Sequence, residues 1–162
     1  MAEIVTNVTA AQIRHAALGF RSQNAAGKTI PQSSALTTVF TVSGGRIMVN
    51  LLYGLVTTVV AGTTPALKLT ATPTTGTASD MCTTGVITAA EVGSMLVVPL
   101  VKGSALIVET AGSGSQTGPG LGGQVVAPGT IAQTSAAADV TGAIQWFLYY
   151  IPLDDAARVV AS

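Results

Sequence analysis

Beyond residue 35 the chain is cut into short runs rich in Val, Ile, Thr and aromatic residues. Glycine, proline and serine signals separate them at roughly 8–12-residue spacing. That rhythm leaves no room for the helical crossovers that parallel strands need. The runs are LTTVFTV (residues 36–42), the long stretch 47–60, ALKLTAT (66–72), MLVVPL and ALIVET around VKGS, then TIAQTS, TGAIQWFLYYI and ARVVA. They predict about eight to ten strands in an all-β domain, an antiparallel sandwich or a jelly-roll-like barrel. Lys102 and Gly103 mark a hairpin turn between MLVVPL and ALIVET. Pro99 demotes the first of these to an edge or bulged strand, because proline brings no N–H to the ladder. In the stretch 47–60, odd positions Ile47, Val49, Leu51, Tyr53, Leu55 and Val59 predict one apolar face. Gly54 could break that stretch into two strands.

The run IQWFLYYI, residues 144–151, holds four of the seven aromatic residues in the chain. As a strand it sends Ile144, Trp146, Leu148 and Tyr150 to one side and Gln145, Phe147, Tyr149 and Ile151 to the other. Both sides are apolar. Ile144, Trp146, Phe147, Leu148, Tyr149 and Tyr150 are therefore the candidate core and subunit-interface residues. One side is expected to pack into the subunit's own core between two sheets. The other should meet a neighbouring copy or a second sheet.

Composition supports an assembly. Of the 162 residues, 48% are hydrophobic and 9% charged, with a net charge of zero and a mean hydropathy of +0.57. A charged share of about 25% is ordinary. A surface so poor in charge suits a subunit covered by copies of itself or by a partner. No charged residue lies in 47–67 or in 110–138. Such stretches predict shared surface, and a homotrimer is expected.

The charges also disfavour other partners. The seven basic residues are scattered from Arg14 to Arg158 with no two adjacent, so no phosphate-binding patch forms and no nucleic acid is expected. The longest apolar run, 47–62, contains Asn50, Gly54, Thr57 and Thr58 and falls short of a span of about 20 residues. No membrane contact is expected. The opening MAEIVTNV has neither the basic nor the apolar region of a secretory leader. Synthesis in a reducing cytoplasm is expected.

Residues 1–34 read as an N-terminal arm or short helix and loop, and 35–162 as a single β domain. Thr9 could cap a helix over 9–20, with Gln12 three residues on and Gly19 to end it. An extended arm fits nearly as well. Residues 21–34 are polar, carry Pro31 and read as loop. The apolar residues Ile4, Val5, Val8, Ile13, Leu18 and Phe20 do not belong to the strand pattern. They are the candidate contact with a partner, on which an arm would order. A small helix capping the barrel is the competing reading. Residues 112–123 are glycine-rich and read as a flexible loop.

Catalytic constellations are not evident. AAGKT at 25–29 lacks the upstream glycine of a phosphate-binding loop and is followed by Pro31. Gly118, Gly120 and Gly123 match a dinucleotide-loop spacing, yet a β-like run follows where that loop needs a helix. His15 is the only histidine and Cys82 the only cysteine. No triad, disulfide or metal cluster can be drawn through them. Asp154 and Asp155 read as a turn. No enzyme activity and no cofactor or metal are expected.

The C-terminal third adds a resemblance. Gly142, Ile144, Trp146, Leu148, Tyr150, Pro152, Leu153, Ala157 and Val159 form a loose strand–turn–strand pattern. It resembles the C-terminus of small structural proteins encoded among tailed-phage head genes, the capsid decoration (cement) proteins. The resemblance implies an all-β virion protein that trimerises on the outside of the head and contacts the major capsid protein. A phage tail, neck or receptor-binding component is the alternative, and a glycan-binding β-domain a more distant one.

Overall fold

Two antiparallel sheets face each other across one apolar core in the computed structural model, which describes residues 9–63, 65–112, 123–138 and 140–162. The elements are α1 (Ala10–Leu18), β1 (Phe20–Gln23), β2 (Lys28–Thr29), β3 (Leu36–Ser43), β4 (Ile47–Ala61), β5 (Ala66–Pro73), β6 (Ser79–Asp80), β7 (Gly85–Val86), β8 (Met95–Val97), β9 (Ile107–Glu109), β10 (Gln124–Val126), β11 (Gly129–Ser135), β12 (Thr141–Pro152) and β13 (Arg158–Ala161). One sheet has seven strands in the order β1-β12-β4-β8-β9, with β2 beside β12 and β10 beside β4. The other has six, β13-β3-β11-β5-β6, with β7 beside β5. The fold is the expected all-β sandwich with a short N-terminal helix. The sheets stay separate and do not close into a barrel.

The long strands β4 and β12 form the centre of the larger sheet. Ile144, Trp146, Leu148 and Tyr150 all point inward and are buried. Opposite them lie Phe40 and Val42 of β3, Leu67 and Leu69 of β5 and Ile131 of β11, all buried in the same core. The inward side of IQWFLYYI thus packs as its alternation predicts.

The face expected for β4 is corrected. Tyr149 pairs with Leu51 and Tyr150 with Val49, so Asn50 is an extra residue in the ladder. This bulge inverts the alternation along the strand. Ile47 and Val49 point inward before it, and Leu52 and Val56 after it, all fully buried. Leu51, Tyr53 and Leu55 face outward instead. The phase set after the bulge carries on to Val60, which is buried, while Val59 is 51% exposed.

Gly54 does not break the strand. It sits opposite Trp146 in the ladder. A Cβ there would lie 2.6 Å from Ile144 Cγ2 and 3.0 Å from Trp146 Cε3, so the missing side chain is the slot that the indole occupies.

Two other expectations change. Residues 21–34 are not simply loop: β1 and β2 add two short strands to β12. The segment after β5 adds two more short strands, β6 and β7, to β5. The hairpin around Lys102 forms, but β8 is not an edge strand. It lies between β4 and β9 and ends at Val97, before Pro99.

Candidate functional site

Helix α1 begins as its sequence dictates. Thr9 N–H donates to Gln12 Oε1 at 2.8 Å, and Gln12 N–H donates to Thr9 Oγ1 at 3.2 Å. This closes the reciprocal cap that a Thr and a Gln three residues apart permit. Gly19 ends the helix with φ +86°, and its N–H donates to the His15 carbonyl at 2.9 Å. A side chain at Gly19 would collide with the Tyr150 carbonyl. The helix buries none of its residues.

Of the candidate contact residues, Ile4, Val5 and Val8 lie outside the described residues. Ile13 is 57% exposed on α1. Leu18 is half-buried, and its carbonyl accepts a 3.1 Å hydrogen bond from Asn50 Nδ2, the side chain of the bulge. Phe20 is exposed on the edge strand β1, where its ring lies 4.4 Å from His15 and 5.9 Å from Tyr150. The N-terminal candidates and the aromatic strand therefore adjoin.

The outer side of IQWFLYYI belongs to a mainly apolar, half-buried face, with Gln145 among its residues. Phe147 stacks on Tyr53 with ring centroids 4.8 Å apart, and the Arg21 guanidinium lies 5.2 Å over the Phe147 ring. Tyr149 beside them is only 5% exposed. Burial, and then the neighbouring Tyr149, push the Tyr53 phenol up from its ordinary value. Leu55 pairs with Met95, and Tyr53 with Val97, which carries the apolar face across to β8. The six-stranded sheet covers only the opposite side of β12.

Sequence reasoning missed Tyr53, Leu55 and Arg21 as members of this face. Arg21 falls in a polar segment read as loop. Simple alternation puts Tyr53 and Leu55 on one face with Ile47 and Val49, because it does not register a bulge. Asn50, a lone amide inside an apolar run, is the signal that marks it.

Other clusters are bonded internally. Arg46 donates to Asp154 through its backbone N–H, Nε and Nη2. The Asp154 carboxyl is held down to about 2 by those bonds. Lys68 and Thr70 donate to the two oxygens of Asp80 at 2.7 Å each, in a surface depression that Thr134 also lines. The Lys68 bond is the main cause of the lowered Asp80 pKa. Cys82 is buried and unpaired with any other thiol. Among the described residues no group of three metal-ligating side chains forms, and no helix is long and apolar enough to cross a membrane.

Against protein-family models, characterised proteins and solved structures, the chain shows no significant match.

Proposed function

We propose that this chain is a virion structural protein: a decoration, or cement, subunit that binds the outside of a tailed-phage head as a homotrimer and stabilises the shell. The observation that carries the reading is an exposed, well-capped helix set beside an outward-facing aromatic sheet face. A lone domain gains nothing from presenting both. A subunit that docks uses them, the face for its own copies and the helix with its preceding residues for the major capsid protein. The C-terminal resemblance points to the same class.

Such a protein performs no bond chemistry. It binds the assembled shell and not the dissociated subunits, so mass action favours the shell. An interface of about 1,200–2,000 Å² is enough for specific binding. Few charges mean that apolar and hydrogen-bonded contacts dominate, and that binding depends weakly on salt.

The test is deletion of residues 2–18, which leaves β1 intact. Loss of particle binding is expected, with the β-type circular dichroism and the oligomer unchanged. Binding equal to that of the full chain would remove the helix from the contact. Particles with and without the protein are also to be heated while DNA release is followed. Equal release temperatures would remove the stabilising role.

A further inference from the structure

We propose that a hollow on the outer face of the six-stranded sheet binds a neutral saccharide, with Lys68 and Asp80 gripping two adjacent hydroxyls of a sugar ring. Strands β5 and β11 alternate cleanly here. Leu67, Leu69, Ile131 and Gln133 are buried, so Lys68, Thr70 and Thr134 face outward. The ladder sets Lys68 and Leu36 on either side of Thr134, and Asp80 beside Thr70. With Ser34 they line a hollow of about 450 Å³. Small-molecule sites run from about 300 to 1,000 Å³. The walls are accessible: the Lys68 and Asp80 side chains are 34% and 43% exposed, and Leu36 is 60% exposed.

The chemistry of the walls selects the ligand. Lys68 Nζ donates to Asp80 Oδ2 at 2.7 Å, and Thr70 Oγ1 donates to Asp80 Oδ1 at 2.7 Å. The carboxylate is thus held in place, yet it keeps acceptor capacity, and the ammonium keeps N–H donors to spare. A strong acceptor next to a strong donor matches neighbouring hydroxyls on a ring, one donating to Asp80 and the other accepting from Lys68. Thr134 and Ser34 add hydroxyls that serve in either sense. Leu36 offers an apolar surface to the C–H side of the ring. The pair cancels its own charge. Asp80 would repel an anionic ligand and Lys68 a cationic one, which leaves the neutral class. A wholly apolar ligand would cover the pair and return no hydrogen bonds. The hollow lies on the other sheet from β1 and β12, so this inference does not rest on the proposed function.

The test is an NMR titration of the full chain with maltose, cellobiose and lactose, with glucuronic acid and glucosamine as charged controls. Shifts are expected at Lys68, Thr70, Asp80 and Thr134 with at least one of the disaccharides, and weaker ones with either control. Asp80→Asn should weaken binding about tenfold or more, the worth of a hydrogen bond to a charged group, and Thr134→Val about two- to tenfold. Thr41→Val lies on the same face outside the hollow and should bind like the parent. Circular dichroism verifies the fold of each variant. No shift in the hollow with any of the disaccharides would overturn the proposal. So would an Asp80→Asn or Thr134→Val chain that binds like the parent, or tighter binding of a charged control.

Discussion

The indole Nε1 of Trp146 donates a 2.8 Å hydrogen bond to Oε1 of Gln133, a residue with no solvent exposure. The bond runs between the two sheets, from β12 to β11. Gln133 in turn donates through Nε2 to the Thr29 carbonyl at 2.7 Å. One amide thus satisfies a tryptophan N–H that would otherwise be buried alone, a state that costs about 1–3 kcal/mol, and also bonds the carbonyl of the exposed Thr29.

Trp146→Ala should destabilise the fold by about 3–5 kcal/mol through the cavity it leaves. Gln133→Leu should cost about 1–3 kcal/mol by stranding the indole N–H. Combining Gln133→Leu with Trp146→Phe should cost less than the two singles together, because each single leaves the other's partner unmet. Urea unfolding curves check this. Fully additive costs would mean that the Trp146–Gln133 bond carries no coupling.

Gly54→Ala should be destabilising by about 1–3 kcal/mol, the range for overpacking a filled core. The added methyl would meet Ile144 and the indole edge. Ile144→Val in the same chain should recover little of the loss, because it removes Cδ1 and keeps the Cγ2 methyl that the new carbon meets. Thermal melts of the three chains decide it. A Gly54→Ala chain as stable as the parent would show that the indole has room to shift.

The Arg46–Asp154 pair makes a pH prediction. Asp154 is depressed to about 2 from its ordinary value of 3.8. A depressed carboxyl favours the fold above its unfolded pKa and loses that contribution as pH falls through its folded one. The contribution should therefore be complete above about pH 4 and fade between about 4 and 2. The pair is solvent-exposed, and its effect should shrink in high salt. Carboxyl-carbon NMR titration should place the Asp154 midpoint near 2 in the parent and near the ordinary carboxylate range in Arg46→Ala.

Cys82 should resist alkylation in the folded chain. It is 1% exposed, and burial pushes its thiol up, so little thiolate forms at neutral pH. Labelling by iodoacetamide should be slow in buffer and complete in denaturant. Rapid labelling in buffer would show that the region around β6 opens locally.

Particular residues show why some of this was legible and some was not. The inward set Ile144, Trp146, Leu148 and Tyr150 follows simple alternation, because β12 itself holds no extra residue there. The helix start was legible in Thr9 and Gln12, whose side chains close a local cap without outside help. Strands β2, β6 and β7 were not, because each is two residues long and exists only through a neighbour's ladder. Pro99 misled for a related reason: β8 stops two residues before it, so the proline never needed an edge position. The outer aromatic face required the pairing register of β4, which composition does not encode.

Asn50 ties these threads together. As the extra residue it puts the two halves of β4 out of phase, and its amide holds the last turn of α1. One position therefore shifts the count along the strand and sets where the helix leaves the sheet. Removing that single residue would leave Val49 inward, Leu51 outward and Leu52 inward in plain alternation, so the strand would keep its faces while the helix lost its tie to the sheet.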